Sequence, residues 1–234
     1  MSTFNIYCAS YKRADKTKVH ELLEYCTFVV RKSEEEAYRN AGVESIWAID
    51  DDKICSFAKV QNYIIENAPE DVVCVLDDDI PEFRYVLDKS VAIRSKEIAT
   101  RELERLGQIM IDLDVGLLGS RITADPKGYH REINFSGMIG PIRFYNRAKV
   151  KSRYKEIKFF GDTDFVLQEL LNNRIILRPN YFAANAKLET NKGGMNITRT
   201  KHIQSMIYAD LRKVWGNYLV FDTKRNVTKV NVRR

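Results

Sequence analysis

The 234-residue sequence has no uninterrupted apolar stretch long enough to cross a membrane. A membrane-spanning helix needs about 20 consecutive apolar residues, and no window of roughly 18 occurs here. Residues 1–13 also lack the long apolar segment and small-residue cleavage site of a secretory signal peptide. We therefore expect a cytoplasmic protein that has no membrane partner.

Cysteine and histidine patterns typical of metal centres are also missing. The three histidines are scattered along the chain, and no two cysteines form a C-x-x-C pair. Three of the four cysteines lie inside apolar runs, which is typical of buried, reduced thiols in a cytosolic protein. The cysteines are Cys8, Cys26, Cys55 and Cys74.

Acidic residues are scarce in the second half of the chain. Residues 1–117 contain 15 Lys/Arg and 23 Asp/Glu, a net charge of −8, whereas residues 118–234 contain 23 and 9, a net charge of +14. The total of +6 hides this asymmetry. A polyanionic partner is therefore expected on the basic half.

Short strands alternate with helical segments through the first half of the sequence. The strand over 72–76 is a continuous apolar run, as in parallel strands that are covered on both faces. This alternation predicts βαβ units and a single α/β domain. Apolar residues make up 44% of the chain, which is enough for a buried core. The predicted strands are 4–9, 27–30, 45–49 and 72–76, and the clearest helices are 34–41, 54–65, 95–111, 164–171 and 198–214.

Three consecutive aspartates, Asp77, Asp78 and Asp79, directly follow the apolar strand. Like charges this close repel, so they must face water or share a cation. Ligands of open α/β sheets bind beyond the carboxyl ends of strands, and Mg²⁺ and Mn²⁺ prefer oxygen ligands. The pattern favours a divalent metal site over a solvated acidic turn.

Two further acidic motifs have competing interpretations. In the run 50–52, Asp51 and Asp52 suit the start of the next helix, whereas Asp50 could line the metal site. Asp162 and Asp164 open a short helix in the basic half. A helix N-cap would account for Asp162, and a general base for an acceptor hydroxyl would account for Asp164.

Several polar residues have spacings that suit phosphate or nucleotide contacts. Ser10, Arg13 and Asp15 follow the first strand. Lys59 and Asn62 lie three residues apart on the predicted helix 54–65, which precedes the strand over 72–76. Lys192, Gly193 and Gly194 predict a flexible loop before the last helix, in which backbone N–H groups could approach a phosphate. His202 on that helix could bind the metal or a diphosphate. For each, an ordinary loop or an exposed helix face is the alternative.

The segment 143–155 mixes basic and aromatic residues. Positive charge neutralises phosphates and aromatic rings stack on exposed bases, so we expect nucleic-acid contact rather than a merely solvated face. The basic side chains of this predicted DNA-binding segment are Arg143, Arg147, Lys149, Lys151, Arg153 and Lys155.

The order of these motifs resembles that of GT-A fold glycosyltransferases. In that fold the nucleotide-sugar half ends in a strand with a D-x-D metal motif, which Asp77-Asp78-Asp79 matches. A later acidic motif, here 161–164, lies where such enzymes often keep their catalytic acid. Within the fold, the motifs resemble those of phage TET-associated glycosyltransferases, which are proposed to place sugars on hydroxymethylated pyrimidines in DNA. The supporting segments are 10–15, 57–62, 75–80, 161–165, 191–195 and 214–216.

The resemblance implies a Rossmann-type mixed sheet flanked by helices. It implies a GT-A-like domain over 1–223, with a nucleotide-sugar half (1–80) and an acceptor half (81–223), before a basic C-terminal tail (224–234). A phage-encoded protein would work in the infected bacterial cell.

The resemblance also implies a mechanism. Asp77 and Asp79, with His202, would bind Mn²⁺ or Mg²⁺ on a nucleotide-sugar, for which a UDP-sugar is the first choice. Asp78 would join the nucleotide-sugar contacts, and which two of the three aspartates bind metal stays open. Asp164 or Asp162 would deprotonate the acceptor hydroxyl. The acceptor would be DNA with a modified pyrimidine, extruded from a duplex.

Two other function classes fit parts of the same pattern. One is a glycosyltransferase that acts on a protein or glycan. The other is a metal-dependent nuclease or nucleotidyltransferase, which would also combine carboxylates with a basic surface.

Overall fold

The computed structural model describes residues 3–185, 200–222 and 227–233. The strands are β1 (Phe4–Ala9), β2 (Thr27–Arg31), β3 (Ile46–Ile49), β4 (Val72–Asp77), β5 (Phe83–Val86), β6 (Ser90–Ile93), β7 (Leu117–Gly119), β8 (Ile133–Asn134), β9 (Ile142–Asn146), β10 (Arg178–Pro179), β11 (Phe182–Ala184), β12 (Leu219–Asp222) and β13 (Val227–Val230). The α-helices are α1 (Val19–Leu22), α2 (Glu35–Asn40), α3 (Phe57–Asn67), α4 (Lys96–Asp112), α5 (Gly161–Asn173) and α6 (Lys201–Trp215).

A six-stranded sheet in the order β3-β2-β1-β4-β9-β7 forms the centre of the molecule. β3, β2, β1 and β4 are parallel, whereas β9 is antiparallel to both of its neighbours, β4 and β7. β9 therefore begins beside the carboxyl end of β4. The predicted α/β class with a mixed sheet flanked by helices is confirmed.

The apolar run of β4 is buried because helices cover both faces of the sheet. Cys74 and Leu76 belong to the core cluster that includes Leu103 and Leu106 of α4. Val73 and Val75 point the other way, into the cluster that includes Ile64 and Ile65 of α3. This alternation fixes the register of β4 and leaves its polar end, Asp77, at the edge of the sheet.

Two acidic motifs lie differently from their predicted positions. α3 begins only at Phe57, after an N-cap at Ser56, so Asp51 and Asp52 occupy a turn rather than the start of a helix. The Asp51 carboxylate instead accepts hydrogen bonds from the backbone N–H and hydroxyl of Ser33. α5 begins at Gly161, which puts Asp162 in its first turn rather than at the N-cap.

The end of the chain is not the separate tail that its charge predicted. Residues 227–230 form β13, which pairs antiparallel with β12. Val230 and Val232 pack against buried apolar clusters, and the hydroxyls of Thr228 and Thr163 lie 2.6 Å apart. The alternation of valines with polar residues in this segment is a strand pattern that the surrounding basic charge obscured. None of the helices that the structure describes could span a membrane.

Candidate active site

The carboxyl ends of β1 and β4 lie side by side, with Ala9 opposite Asp77. Ser10, just beyond β1, donates a hydrogen bond from Oγ to Oδ2 of Asp78 at 2.6 Å, and Arg13 donates from Nη1 to Oδ1 at 2.8 Å. Burial raises the pKa of Asp78, while Ser10 and Arg13 act in the opposite direction. Ser10, Arg13 and Asp78 therefore form one hydrogen-bonded unit. All three were predicted from the sequence to contact the nucleotide-sugar.

Tyr38 of α2 supports this unit, and the sequence analysis missed it. Its hydroxyl lies 2.6 Å from Oγ of Ser10 and accepts a hydrogen bond from the backbone N–H of Arg13 at 3.2 Å. Burial raises the pKa of Tyr38 to about 12, so the hydroxyl keeps its proton near neutral pH. Tyr38 fixes the strand-end loop against α2.

Arg143 is the central cation of the site. Its guanidinium donates from Nη1 and Nη2 to the two oxygens of Asp77 at 2.7 and 3.2 Å. Its Nε lies 3.3 Å from Oδ1 of Asp162, an ion pair without hydrogen-bond geometry. Burial opposes the charge of Arg143, but the two carboxylates outweigh burial and raise the pKa of Arg143. Arg143 thus connects Asp77, at the end of β4, to the acidic motif of α5.

This arrangement removes Arg143 from the predicted DNA-binding surface. The residue is 4% exposed and lies within β9, between β4 and β7. A guanidinium with two carboxylate neighbours is compensated internally and has little exposed surface for a phosphate. The sequence carried one sign of this burial, because Arg143 is the single charged residue in the otherwise apolar segment 142–145.

Asp77 and Asp79 remain the carboxylates that fit a divalent ion. Their side chains are 33% and 32% exposed, whereas Asp78 is only 12% exposed and is held on both oxygens. Arg13 Nη1 also lies 3.3 Å from Oδ2 of Asp79. Burial raises the pKa of Asp77 to about 6, and Arg143 opposes that shift.

The described residues alone do not complete a metal site. No group of three or more His, Cys, Asp or Glu side chains in ranges 3–185, 200–222 and 227–233 could hold a metal ion. Mg²⁺ commonly binds one or two carboxylates and takes its other ligands from substrate phosphates and water. Two partly exposed aspartates at a strand end fit that pattern.

The two acidic residues of α5 differ in environment. Asp164 is 1% exposed and accepts hydrogen bonds from Trp215 Nε1 at 2.7 Å, Gln168 Nε2 at 2.6 Å and Lys155 Nζ at 3.2 Å. The Asp162 side chain is 34% exposed and faces Arg143. The structure therefore brings Asp162, rather than Asp164, next to Arg143 and Asp77.

Tyr154 is a second residue that the sequence analysis missed. Its hydroxyl donates to Oδ1 of Asp162 at 3.3 Å and lies 2.9 Å from the hydroxyl of Tyr145. Its backbone N–H and C=O are both hydrogen-bonded by the side chain of Asn62, at 2.9 and 2.8 Å. Asn62, predicted to contact the nucleotide-sugar, instead holds Tyr154 in place.

The remaining predicted nucleotide-sugar and metal residues lie on exposed surfaces. Asp15 is exposed in the loop before α1, and Lys59 is exposed on α3 with Nζ 3.2 Å from Sγ of Cys55. Asp50 is exposed and pairs with Lys53 at 3.0 Å. His202 is exposed in the first turn of α6. Lys192, Gly193 and Gly194 lie outside the described residues.

The predicted DNA-binding segment runs away from the site rather than along it. β9 is antiparallel to β4, so Asn146 lies opposite Val72, at the other end of the sheet from Asp77. The next residue, Arg147, donates to the backbone carbonyls of Ile65, Glu66 and Glu70 at 2.6 to 2.9 Å. Its guanidinium thereby satisfies carbonyls at the end of α3.

The other basic residues of the segment are exposed but mostly paired. Lys149 pairs with Asp114 at 2.7 Å, Arg153 with Glu66 at 2.9 Å, and Lys155 with Asp164 at 3.2 Å. Lys151 is exposed near Lys149. The segment therefore does not form one continuous cationic surface beside the carboxylates.

Solved structures of other proteins share this architecture. A mannosyltransferase from Pyrobaculum calidifontis, in complex with GDP-Man and Mn²⁺, has a TM-score of 0.53 at 10% identity over 90% of this chain. Glucosyl-3-phosphoglycerate synthase from Mycobacterium tuberculosis, with Mn²⁺, UDP-glucose and phosphoglyceric acid, has a TM-score of 0.57 at 8% identity over 97% of this chain.

The chain spans different shares of these proteins. It covers 86% of the synthase, 64% of the mannosyltransferase and 65% of S. aureus TarS 1-349, for which the TM-score is 0.46 at 15% identity over 89% of this chain. No protein-family model and no curated protein sequence matches it. The sheet order, together with the mannosyltransferase and the synthase, shows that the chain has the GT-A fold.

Proposed function

We propose that the protein is a divalent-metal-dependent glycosyltransferase that moves a sugar from a nucleotide-sugar to a hydroxyl acceptor. The observation that carries this proposal is the cluster at the carboxyl end of β4. There, partly exposed Asp77 and Asp79 stand beside the Ser10–Arg13–Asp78 unit. In open α/β sheets this edge is where ligands bind. The neighbours solved with Mn²⁺ and nucleotide-sugars support the same reading.

Asp79 and Asp77 would hold Mn²⁺ or Mg²⁺. When bound, the ion supplies positive charge beside the leaving diphosphate. Asp77 is also held by Arg143, so metal binding there requires the carboxylate to share its negative charge between two cations. Ser10, Arg13 and Asp78 would contact the nucleotide, for which we propose a uridine diphosphate sugar.

Asp162 would act as the general base. The acceptor oxygen attacks the anomeric carbon, the bond from that carbon to the diphosphate oxygen breaks, and the hydroxyl proton passes to the Asp162 carboxylate. Asp162 suits this role because its side chain is partly exposed and faces Arg143, which also binds Asp77. Asp164, buried against Trp215, would position α5 and α6 relative to each other.

The acceptor that we propose is DNA containing a hydroxymethylated pyrimidine. Its support is the +14 charge of residues 118–234 and the motif resemblance. The placement of Arg143 and Arg147 removes two cations from the predicted interface. Any contact with DNA must therefore use other basic residues of this half.

Donor turnover with and without acceptor tests the proposal. The protein would be incubated with Mn²⁺ and a panel of UDP- and GDP-sugars, with or without hydroxymethyl-containing DNA, and nucleoside diphosphate release measured. We expect release that depends on Mn²⁺ and increases with modified DNA. Absence of release with every donor, together with no donor-induced thermal shift, would contradict the proposal.

Two matched variants sharpen this test. Asp79→Asn should lower turnover by about 10²–10³-fold, because it removes a metal-binding carboxylate while keeping the shape of the side chain. Asp52→Asn changes an exposed aspartate in the turn after β3 and should leave turnover unchanged. DNA cleavage or extension without sugar-nucleotide consumption would favour the nuclease or nucleotidyltransferase alternative.

A further inference from the structure

Arg121 and Arg178 place two guanidinium groups beside β7, in the acceptor half. Arg121 lies two residues after β7 and is 8% exposed, and Arg178 begins β10. Glycines make room for both groups. A Cβ at Gly128 would lie 2.6 Å from Nη2 of Arg121, and one at Gly137 would lie 2.8 Å from Nη1 of Arg178.

Neither guanidinium forms an ion pair with a carboxylate within the described ranges of the chain, although Asp125 acts on Arg121 from a greater distance. Arg121 donates to the backbone carbonyls of Asn180 at 3.2 Å and Asp125 at 2.7 Å, and Arg178 donates to that of Met138 at 3.2 Å. The buried Nε of Arg178 has no hydrogen-bond partner. Each guanidinium carries five N–H donors, so three carbonyls leave most of them unused.

The two guanidinium groups lie in one region, because Arg121 donates to the carbonyl of Asn180, two residues after Arg178. The Asp125 carboxylate partly offsets the charge of Arg121, whereas no carboxylate among the described residues offsets that of Arg178. Burial lowers the pKa of both residues, and the charge of Arg121 lowers the pKa of Arg178 further. Buried charges are normally paired or hydrogen-bonded, because desolvation without compensation is costly. An anion between the two groups would offset that cost and use their free donors.

The pair lies at the same edge of the sheet as the metal motif, on the far side of β4 from the nucleotide unit. Backbone hydrogen bonds connect the end of β7 to the start of β9, and Asp77 N–H donates to Pro141 at 3.0 Å. Ser120, next to Arg121, is thus about two strand spacings from β4, roughly 10 Å. β1, which carries Ser10, lies on the other side of β4.

We propose that Arg121 and Arg178 form a phosphate-binding site for the acceptor. Two guanidinium groups with free, planar donors match phosphate oxygens in charge and geometry. Their position on the β7 side fits the acceptor better than the donor diphosphate, which belongs with Ser10, Arg13 and the aspartates. The assignment of the phosphate to the acceptor rests on the proposed function, whereas the presence of an anion site does not.

Thermal unfolding in the presence of inorganic phosphate tests the anion site alone. Phosphate at ten times its Kd should raise the Tm by about 3–5 °C relative to chloride of equal ionic strength. Arg178→Gln should abolish this increase, and Arg178→Lys, which keeps the charge, should retain part of it. Arg101→Gln, at an exposed arginine of α4, should leave the increase unchanged.

The opposing outcome is that Arg178→Gln lowers the Tm equally in phosphate and in chloride, so that phosphate still raises it as in the unsubstituted protein. That result would overturn the anion site and leave Arg178 a purely structural role. If Arg178→Gln fails to fold, a phosphate effect in Arg178→Lys that is smaller than in the unsubstituted protein supports the site, and full retention overturns it.

Steady-state kinetics then identify the source of the phosphate. Arg178→Gln should raise KM for hydroxymethyl-containing DNA about tenfold and leave KM for the nucleotide-sugar unchanged. A rise in donor KM alone would overturn the acceptor assignment. A third result separates the two proposals. If no nucleotide-sugar is turned over, but phosphate raises the Tm of the unsubstituted protein and not that of Arg178→Gln, the proposed glycosyltransferase activity is wrong and the anion site is supported.

Discussion

The two ends of β9 use arginine in different ways. At the end beside β4, Arg143 pairs with Asp77 and faces Asp162. Just past the opposite end, Arg147 donates to three backbone carbonyls around the end of α3. The two residues are four positions apart in one basic segment.

This difference shows that the surroundings, and not local charge, assign the role of a basic residue. Where carboxylates converge, the guanidinium connects two of them at the candidate site. Where a helix ends, the same group satisfies carbonyls that have no partner within the helix. The basic segment therefore reaches the candidate site at one end of the sheet and caps a helix at the other.

The strongest test of the functional end compares Asp162→Asn with Asp164→Asn. Asp162→Asn should lower turnover by about 10³-fold, because it removes the proposed base. Asp164→Asn should lower the free energy of unfolding by about 2 kcal/mol, because it weakens hydrogen bonds to a buried carboxylate, and should change turnover less than about tenfold. Steady-state kinetics would measure turnover, and urea unfolding would measure the free energy of unfolding of each variant. A larger loss of turnover in Asp164→Asn than in Asp162→Asn would reassign the base to Asp164.

The stability end is tested by Arg147→Met. Loss of the guanidinium leaves carbonyls at the end of α3 without their donors, so we expect the free energy of unfolding to fall by about 2 kcal/mol. Turnover per folded molecule and DNA affinity should not change. Lys149→Met removes only an exposed ion pair and should cost less than about 1 kcal/mol. A loss of DNA affinity in Arg147→Met without loss of stability would restore the original surface assignment.

The pH dependence of metal binding tests the coupling of Asp77 to its surroundings. Burial raises the pKa of Asp77 to about 6 in the metal-free protein, and a metal binds the deprotonated carboxylate. Below about pH 6 a proton must leave, so the Mn²⁺ affinity should fall by up to about tenfold per pH unit as the pH decreases. Calorimetric titration would measure this slope, and Asp77→Asn should remove it. A flat profile between pH 5 and 7 would argue against Asp77 as a ligand.

The smallest expected effect concerns the docking of β13 on α5. Thr228→Val removes the hydroxyl that lies 2.6 Å from that of buried Thr163 and should lower the free energy of unfolding by about 1 kcal/mol. Lys229→Gln, at the next position, alters an exposed pair with Asp222 and should have a smaller effect. Unchanged stability in Thr228→Val would show that residues 227–230 do not dock in solution.

Local patterns predicted those parts of the fold that local sequence controls. The apolar run before Asp77 predicted a strand covered on both faces, and β4 is one. The start of α5 was predicted three residues too late, because a left-handed Phe160 precedes Gly161 and no polar cap marks the first turn. β13 was missed because Lys and Arg dominate its surroundings in the sequence.

By itself, the sequence determined the α/β class, the placement of three aspartates at a strand end and the excess of positive charge in residues 118–234. These features depend on periodicity and composition, which are properties of neighbouring residues. Only the tertiary structure decided that Arg143 joins Asp77, 66 positions away, and that Asp162 rather than Asp164 faces this pair. It also decided that Arg121 reaches the carbonyl of Asn180, in the same region as Arg178. The strand order brings these residues together, and the balance of burial and charge at each position then depends on partners distant in the chain.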